Sequence, residues 1–312
     1  MSRTLAFDTS NYTTSAAVFD GAGGENAGRL LDVPAGALGL RQSDALFAHV
    51  KRLPALMEQL KERGLLEDIV AVGASTAPRE VEGSYMPCFL AGRSQGEVLA
   101  AVLGVPFFGC SHQQGHLAAA AWSAGRLDLL DEPFLAWHLS GGTTELLYVE
   151  PDGVNVRARA IGGTSDISAG QLIDRTGQLL GLPFPAGRAL DALYGQADTC
   201  LEYRVKLKEL TFSLSGMENK VKELLTAGEK PANVARFAID TVVNVVLRAT
   251  GAATERYPGL PVLCSGGVAS NSALRAAMAK VCGALFAQPR YSTDNAMGVA
   301  ILAHRQWKES RS

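Results

Sequence analysis

Cysteine is scarce in this 312-residue chain: five residues, at positions 88, 110, 200, 264 and 282, no two of them in a CxxC pair. An odd, scattered set gives neither a disulfide framework nor a four-thiolate zinc site, and it fits the reduced thiols of a cytoplasmic protein. Long apolar runs are lacking too. None approaches the ~20 residues needed to cross a bilayer, and neither end reads as a secretory signal. Charge of either sign is not in excess: 29 Lys and Arg stand against 31 Asp and Glu, for a formal net charge of −2. A globally basic nucleic-acid binder is excluded, so any RNA contact has to come from a local patch or from a partner subunit.

Histidine is as scarce as cysteine, five in all, yet two fall four positions apart in "SHQQGHLAAA" (111 to 120). Residues at i and i+4 share a helix face with Cβ atoms about 5–6 Å apart, so His112 and His116 are candidates to hold one metal ion. Two packed or solvated histidines are the alternative. A zincin-type peptidase is not indicated, because the inner positions are Gln113, Gln114 and Gly115 and supply no glutamate base. What the chain has in quantity is apolar residue (47%) and glycine, 33 residues clustered at turns, where a missing side chain permits close backbone approach.

The chain also resembles itself. "LAFDTSNYTTSAAVFD" (5 to 20) aligns without a gap on "LAWHLSGGTTELLYVE" (135 to 150), pairing Leu5 with Leu135, Ser10 with Ser140 and Thr14 with Thr144. Each copy reads as strand, short polar turn, strand, and each opens a stretch of alternating helices and strands. Helical patterns follow at 43–64, 88–104, 162–196, 231–256, 271–281 and from about 295; strands are expected at 68–76, 105–111 and 261–267. This predicts two related α/β lobes, 1–130 with the HxxxH helix and 131–312 with most of the glycine turns, and a ligand in the cleft they form.

The glycine turns offer chemistry for a nucleotide. In "SGGTTE" (140 to 145) the amides of Gly141, Gly142 and Thr143 follow an apolar strand and are placed to converge on a phosphate, although Gly-Gly is also a favoured hairpin turn. "VLCSGGVASNSALR" (262 to 275) is a second strand, Gly-Gly turn and helix start, where Ser270 or Asn271 would serve equally as a helix cap. Between them lie Gly170, Asp174, Gly187 and Asp191, the two aspartates able to accept hydrogen bonds from ribose hydroxyls. Together these features favour an adenine nucleotide.

Five blocks, "DTSNYTT", "SHQQGHLAAA", "HLSGGTTEL", "SAGQLIDRTGQLLGLPFPAGRALD" and "LCSGGVASNSALR" followed by "STDN", resemble in the same order the tRNA N6-adenosine threonylcarbamoyltransferase family, formerly described as O-sialoglycoprotein endopeptidases. The resemblance runs nearly end to end. It implies the duplicated actin, hexokinase and heat-shock-ATPase (ribonuclease-H-like) α/β fold. It further implies that His112, His116 and Asp294 bind one divalent metal ion, iron or zinc. His138, Leu139, Ser140, Gly141, Gly142, Asp174, Gly187, Asp191 and Asn271 would bind the adenine nucleotide or threonylcarbamoyl-adenylate. The implied reaction passes the threonylcarbamoyl group from the adenylate to N6 of an adenosine in tRNA, alongside accessory proteins of the same pathway. No single catalytic side chain is assigned.

The chain departs from the family pattern near the implied chemistry. An acidic pair in the family's first hairpin is replaced by Tyr12 and Thr13, a histidine by Thr143, and a glycine-rich turn by "TAPREVEGSYMP" (76 to 87), where Arg79, Glu80 and Glu82 are candidates to compensate. These changes keep two further readings open: an adenine-nucleotide-binding partner subunit or switch that modifies no tRNA, and a carbamoyltransferase for another acceptor. Residues that could meet tRNA as a local basic patch are Arg41, Lys51, Arg52, Arg204, Lys206, Lys208, Lys220 and Lys222.

Overall fold

A computed structural model describes residues 2–10, 12–32 and 40–311. The chain divides into two compact units. The first comprises Met1–Glu132, Glu150–Ala158 and Thr293–Ser312, and the second Pro133–Val149 and Arg159–Ser292. Asp294 and the helix after it therefore fold with the first unit.

The first unit is built on β1 (Arg3–Asp8), β2 (Thr13–Phe19), β3 (Gly24–Leu30), α1 (Gln42–Glu62), β4 (Ile69–Ala77), α2 (Phe89–Leu103), β5 (Phe107–Ser111) and α3 (His112–Ser123). The second carries β6 (Phe134–Leu139), most of β7 (Thr144–Asp152) and β8 (Asn155–Thr164), whose residues 150–158 fold with the first unit, then α4 (Ala169–Leu179), α5 (Gly187–Tyr194), β9 (Leu207–Lys208), β10 (Thr211–Phe212), α6 (Ser215–Thr226), α7 (Pro231–Arg256), β11 (Val262–Ser265), α8 (Ser272–Cys282) and β12 (Leu285–Phe286). The last helix, α9 (Met297–Glu309), returns to the first unit.

The first sheet has the order β3-β2-β1-β4-β5, with β1, β4 and β5 parallel and β2 and β3 antiparallel to their neighbours. Its central strands are covered on both faces, which is why "LAF" and "VAVGAS" are near-continuous apolar runs. Leu5, Phe7 and Val72 pack with Leu53, Leu56 and Leu60 of α1 and Ala91 and Ala100 of α2. On the alternate register the side chain of Thr4 hydrogen-bonds His304 of α9, and the missing side chain of Gly73 makes room for Ala303.

The second sheet has the order β12-β11-β6-β7-β8-β10-β9. Its core sets Leu135, Trp137 and Leu139 of β6 against the apolar face of α7, including Phe237, Val242 and Val246. The indole of Trp137 donates to the Thr250 hydroxyl at 2.8 Å, so this fully buried ring leaves no orphan donor.

The two sheets share one topology: β6, β7, β8, β11 and β12 take the places of β1, β2, β3, β4 and β5. The register agrees as well. Asp8 pairs with Ser15 in the first hairpin, and His138 with Glu145 at the matching position of the second. The self-similarity of 5–20 and 135–150 is therefore a duplication of hairpin geometry. No helix among the described residues is long and apolar enough to cross a membrane, and all five cysteines are free thiols.

Candidate functional site

The first unit gathers His112, His116 and Asp294. Strand β5 ends at Ser111, whose hydroxyl caps α3 by accepting from the Gln114 amide while the Gln114 side chain accepts from the Ser111 amide. This capping box fixes where the helix starts, and so puts His112 at its first position with His116 one turn on. The two rings stand edge to face with centroids 4.3 Å apart.

Asp294 comes from the segment just before α9. Asn295 makes the local turn into this helix: it accepts from the Met297 amide at 3.1 Å and donates to the Thr293 carbonyl at 2.7 Å. The Asp294 carboxylate faces the histidines, with Oδ1 at 3.3 Å from His116 Nε2 and 3.6 Å from His112 Nε2. One ligand atom from each of the three residues lies within 4.8 Å of the others. Two imidazole nitrogens and a carboxylate on a part-buried surface suit Zn²⁺ or non-haem Fe²⁺ with coordination positions left open.

A second carboxylate backs the centre. Asp8, at the end of β1 and only 1% exposed, accepts from His112 Nδ1 at 2.7 Å. Its other oxygen accepts from the Ser10 amide and the Ser75 hydroxyl, each at 2.9 Å. Burial by itself lowers the His112 pKa, but the Asp8 charge and bonds to both carboxylates outweigh it and push the imidazole up to about 10. Burial likewise opposes ionisation of Asp8 and Asp294, and the histidines more than offset it, so both carboxyls titrate below the usual range.

Two more polar groups complete this wall. Gln114 donates to Glu80 at 2.5 Å and to the Val156 carbonyl at 2.8 Å. Burial and the neighbouring Asp152 raise the Glu80 carboxyl above its ordinary value. Of the charged residues in "TAPREVEGSYMP", Glu80 thus reaches the helix that carries the histidines.

The second unit organises the glycine turns around the start of α4. Ser140 closes its own turn, its amide donating to the Thr143 carbonyl and its hydroxyl accepting from the Thr143 amide. Ser168 caps α4 and donates to the Gly141 carbonyl at 2.6 Å, while the Thr144 hydroxyl accepts from the Ala169 amide at 2.8 Å. Gly170 is required here, since a Cβ would lie 2.5 Å from both Gly141 Cα and the Ser140 carbonyl oxygen. Gly266, with φ of 94°, presses in the same way on the Leu139 carbonyl. Gly141 and Gly142 themselves face open space.

Asp174 and Asp191 hold the starts of two helices. Asp174 accepts from the Ala186 amide at 2.8 Å and so holds the residue before Gly187, at the start of α5. Asp191 accepts from Asn271 Nδ2 at 2.9 Å, the Ser272 hydroxyl at 2.8 Å and the Ser272 amide at 3.2 Å, and Asn271 caps α8 through the Leu274 amide. The structure thus joins Asp191 with Asn271 and Ser140 to Gly142 with α4. His138 sits on β6 beside Leu139, whose side chain is in the core.

A model of the tRNA N6-adenosine threonylcarbamoyltransferase family matches residues 39–301. The Streptococcus pneumoniae enzyme of that name is 31% identical over 98% of this chain and 92% of its own length. The Thermus thermophilus enzyme is 34% identical over 83% and 78%. This chain belongs to the tRNA N6-adenosine threonylcarbamoyltransferase family. Among solved structures, component A of (R)-2-hydroxyglutaryl-CoA dehydratase from Acidaminococcus fermentans is similar over the full length of both chains, with a TM-score of 0.57 at 16% identity. The fold is accordingly the duplicated α/β fold of actin, hexokinase and the heat-shock ATPases.

Within this threonylcarbamoyltransferase-family chain, sequence reasoning missed Asp8, Ser75 and the Gln114–Glu80 pair. Asp8 lies inside the quoted block "DTSNYTT", but nothing local pairs it with a histidine 104 residues away. Asn11 of the same block lies outside the described residues. The basic residues divide between the units. Arg52 is held by Asp32 and the Leu30 carbonyl, Lys220 by Glu223 and Lys222 by Glu218. Arg204, Lys206 and Lys208 are exposed at alternate positions leading into β9.

Proposed function

We propose that this chain transfers the threonylcarbamoyl group of threonylcarbamoyl-adenylate to N6 of an adenosine in tRNA, together with accessory proteins of the same modification pathway. Membership of the family, over most of the chain's length, is the observation that carries the reading. In the reaction a bond forms between N6 and the carbamoyl carbon, the bond from that carbon to the phosphate oxygen breaks, AMP leaves with the electron pair, and N6 loses a proton.

The first unit's donor set fits a metal cofactor. His112, His116 and Asp294 would hold an iron or zinc ion, and Asp8 would anchor His112 from behind. Such an ion, when bound, supplies Lewis-acid stabilisation of charge on a phosphate or carbonyl oxygen. In the second unit, the open Gly141–Gly142 turn beside the α4 N-terminus offers backbone amides to a phosphate. His138, Leu139, Asp174, Gly187, Asp191 and Asn271 would shape the rest of the adenylate site, the aspartates holding the backbone that meets the nucleoside.

A second reading rests on the first hairpin: the resemblance implies an acidic pair where this chain has Tyr12 and Thr13, so a chain that binds adenine nucleotide but serves another acceptor, or acts as a partner subunit, is the competing account. The test supplies purified protein with threonylcarbamoyl-adenylate, tRNA lacking the modification and the accessory proteins, with a family member that retains the acidic pair as positive control. Modified adenosine by mass spectrometry supports transfer to tRNA. Adenine-nucleotide binding without product, while the control works, supports the competing account.

A further inference from the structure

We propose that Asp8 is a positioning residue that sets the ring orientation and tautomer of His112 for metal binding, an inference that rests on reading His112, His116 and Asp294 as a metal centre. The argument follows from donors and acceptors. Asp8 Oδ1 is committed to two groups that donate to it, the Ser10 amide and the Ser75 hydroxyl, both at 2.9 Å. Its Oδ2 faces His112 Nδ1 at 2.7 Å. An ionised carboxylate only accepts, so Nδ1 keeps its proton, and the lone pair available to a metal falls on Nε2. Nε2 is the atom that points toward Asp294 Oδ1, at 3.6 Å. Rotating the ring would strip a carboxylate only 2% exposed of its partner, so the orientation is fixed as well.

The same geometry predicts an inversion between two substitutions. In Asp8→Asn the Ser10 amide must still find an acceptor, and that holds the amide oxygen at the Oδ1 position. The Asn nitrogen is then forced into the Oδ2 position, where it donates to His112 Nδ1. A donor there demands an unprotonated Nδ1, which moves the ring proton to Nε2 and blocks the metal lone pair. Asp8→Ala leaves no such donor, and water can accept from Nδ1. The isosteric Asn variant therefore binds metal worse than the truncated Ala variant, although it packs better.

The test uses the full chain, with Zn²⁺ and Co²⁺ titrated against a competing chelator, thermal unfolding in chelator, and 15N-histidine NMR of the metal-free protein at alkaline pH. Asp8→Asn is expected to lose about 10–100-fold in metal affinity, the range for removing a group that orients a ligating histidine. It should lose more than Asp8→Ala, hold the higher melting temperature of the two, and show His112 protonated at Nε2. Ser75→Ala, which leaves the Asp8–His112 contact in place, should lose affinity to a smaller extent, and it serves if the Asp8 variants do not fold. Unchanged affinity in Asp8→Asn, or in Ser75→Ala where only that variant folds, overturns the inference, as does an affinity order that simply follows thermal stability. If the unaltered protein binds neither metal, and His116→Ala is indistinguishable from it, the metal centre itself falls and this inference with it.

Discussion

A Cβ placed on Gly298 of α9 would lie 1.7 Å from the carbonyl oxygen of Gly115 on α3, so the two helices cross at a distance only glycine permits. Gly115 is the residue before His116, and Gly298 lies four after Asp294. The close crossing is what brings a carboxylate from the chain's end beside histidines near position 114.

Gly298→Ala therefore separates the helices and disturbs the centre. Overpacking of this kind costs about 1–3 kcal/mol. We expect a lowered melting temperature together with weakened binding of Zn²⁺ or Co²⁺, read by calorimetry and chelator competition. Preserved metal affinity in a destabilised variant would show that the crossing does not position Asp294.

Gly141 and Gly170 separate a ligand role from a packing role. Gly141 has open space around its Cβ position, whereas Gly170 abuts the Ser140–Gly141 backbone at 2.5 Å. Gly141→Ala is expected to leave thermal stability within about 0.5 kcal/mol of the unaltered protein while raising the KM for the adenylate. Gly170→Ala lowers stability. An unaffected KM in Gly141→Ala would remove this turn from the nucleotide site.

Asp166 holds the start of α6, accepting from the hydroxyls of Ser213 and Ser215 and the amides of Leu214 and Ser215. Burial opposes its ionisation, but these bonds prevail and keep the carboxyl well below its ordinary value. A carboxyl depressed in the fold contributes stability that is fully present above its unfolded value of about 3.9 and is lost as pH falls toward the folded value. Asp166→Ala should cost about 1–2 kcal/mol at neutral pH, as for loss of a helix cap, and the deficit should shrink on acidification below pH 4. Chemical denaturation at several pH values reads both effects.

His304 predicts an acid sensitivity of the same sign at a higher pH. It is 3% exposed, packs edge-on to Phe19, and shares a 3.1 Å hydrogen bond with Thr4. Burial, then the positive charge of Lys308, lower its pKa. A base depressed in the fold binds fewer protons folded than unfolded, so its stabilising contribution is complete above the unfolded value of about 6.5 and is lost below it. We expect the melting temperature to fall between neutral pH and pH 5 and this step to disappear in His304→Gln. A step that persists in the variant would assign it elsewhere.

Much of this architecture was readable from residues. The HxxxH spacing placed both imidazoles on one turn, because Ser111 and Gln114 are a capping box written in the sequence itself. The two hairpins were visible because their apolar and polar positions repeat in order. Two kinds of feature were not. β3 is polar and glycine-flanked at the sheet edge, so it carries no apolar alternation to betray a strand. The partners of His112 come from β1 and the C-terminal segment, with Ser75 of β4 behind Asp8, and contacts over such separations leave no local pattern.

Metal-dependent transfer to tRNA is the central claim, and the most direct measurement is modified adenosine formed by one preparation as purified, after chelation, and after return of Fe²⁺ or Zn²⁺, beside Asp294→Ala treated identically. The account predicts product from the purified protein, its loss on chelation, recovery when metal is returned, and none from Asp294→Ala in any state. Product from the chelated protein and from Asp294→Ala at the level of the purified protein would contradict it.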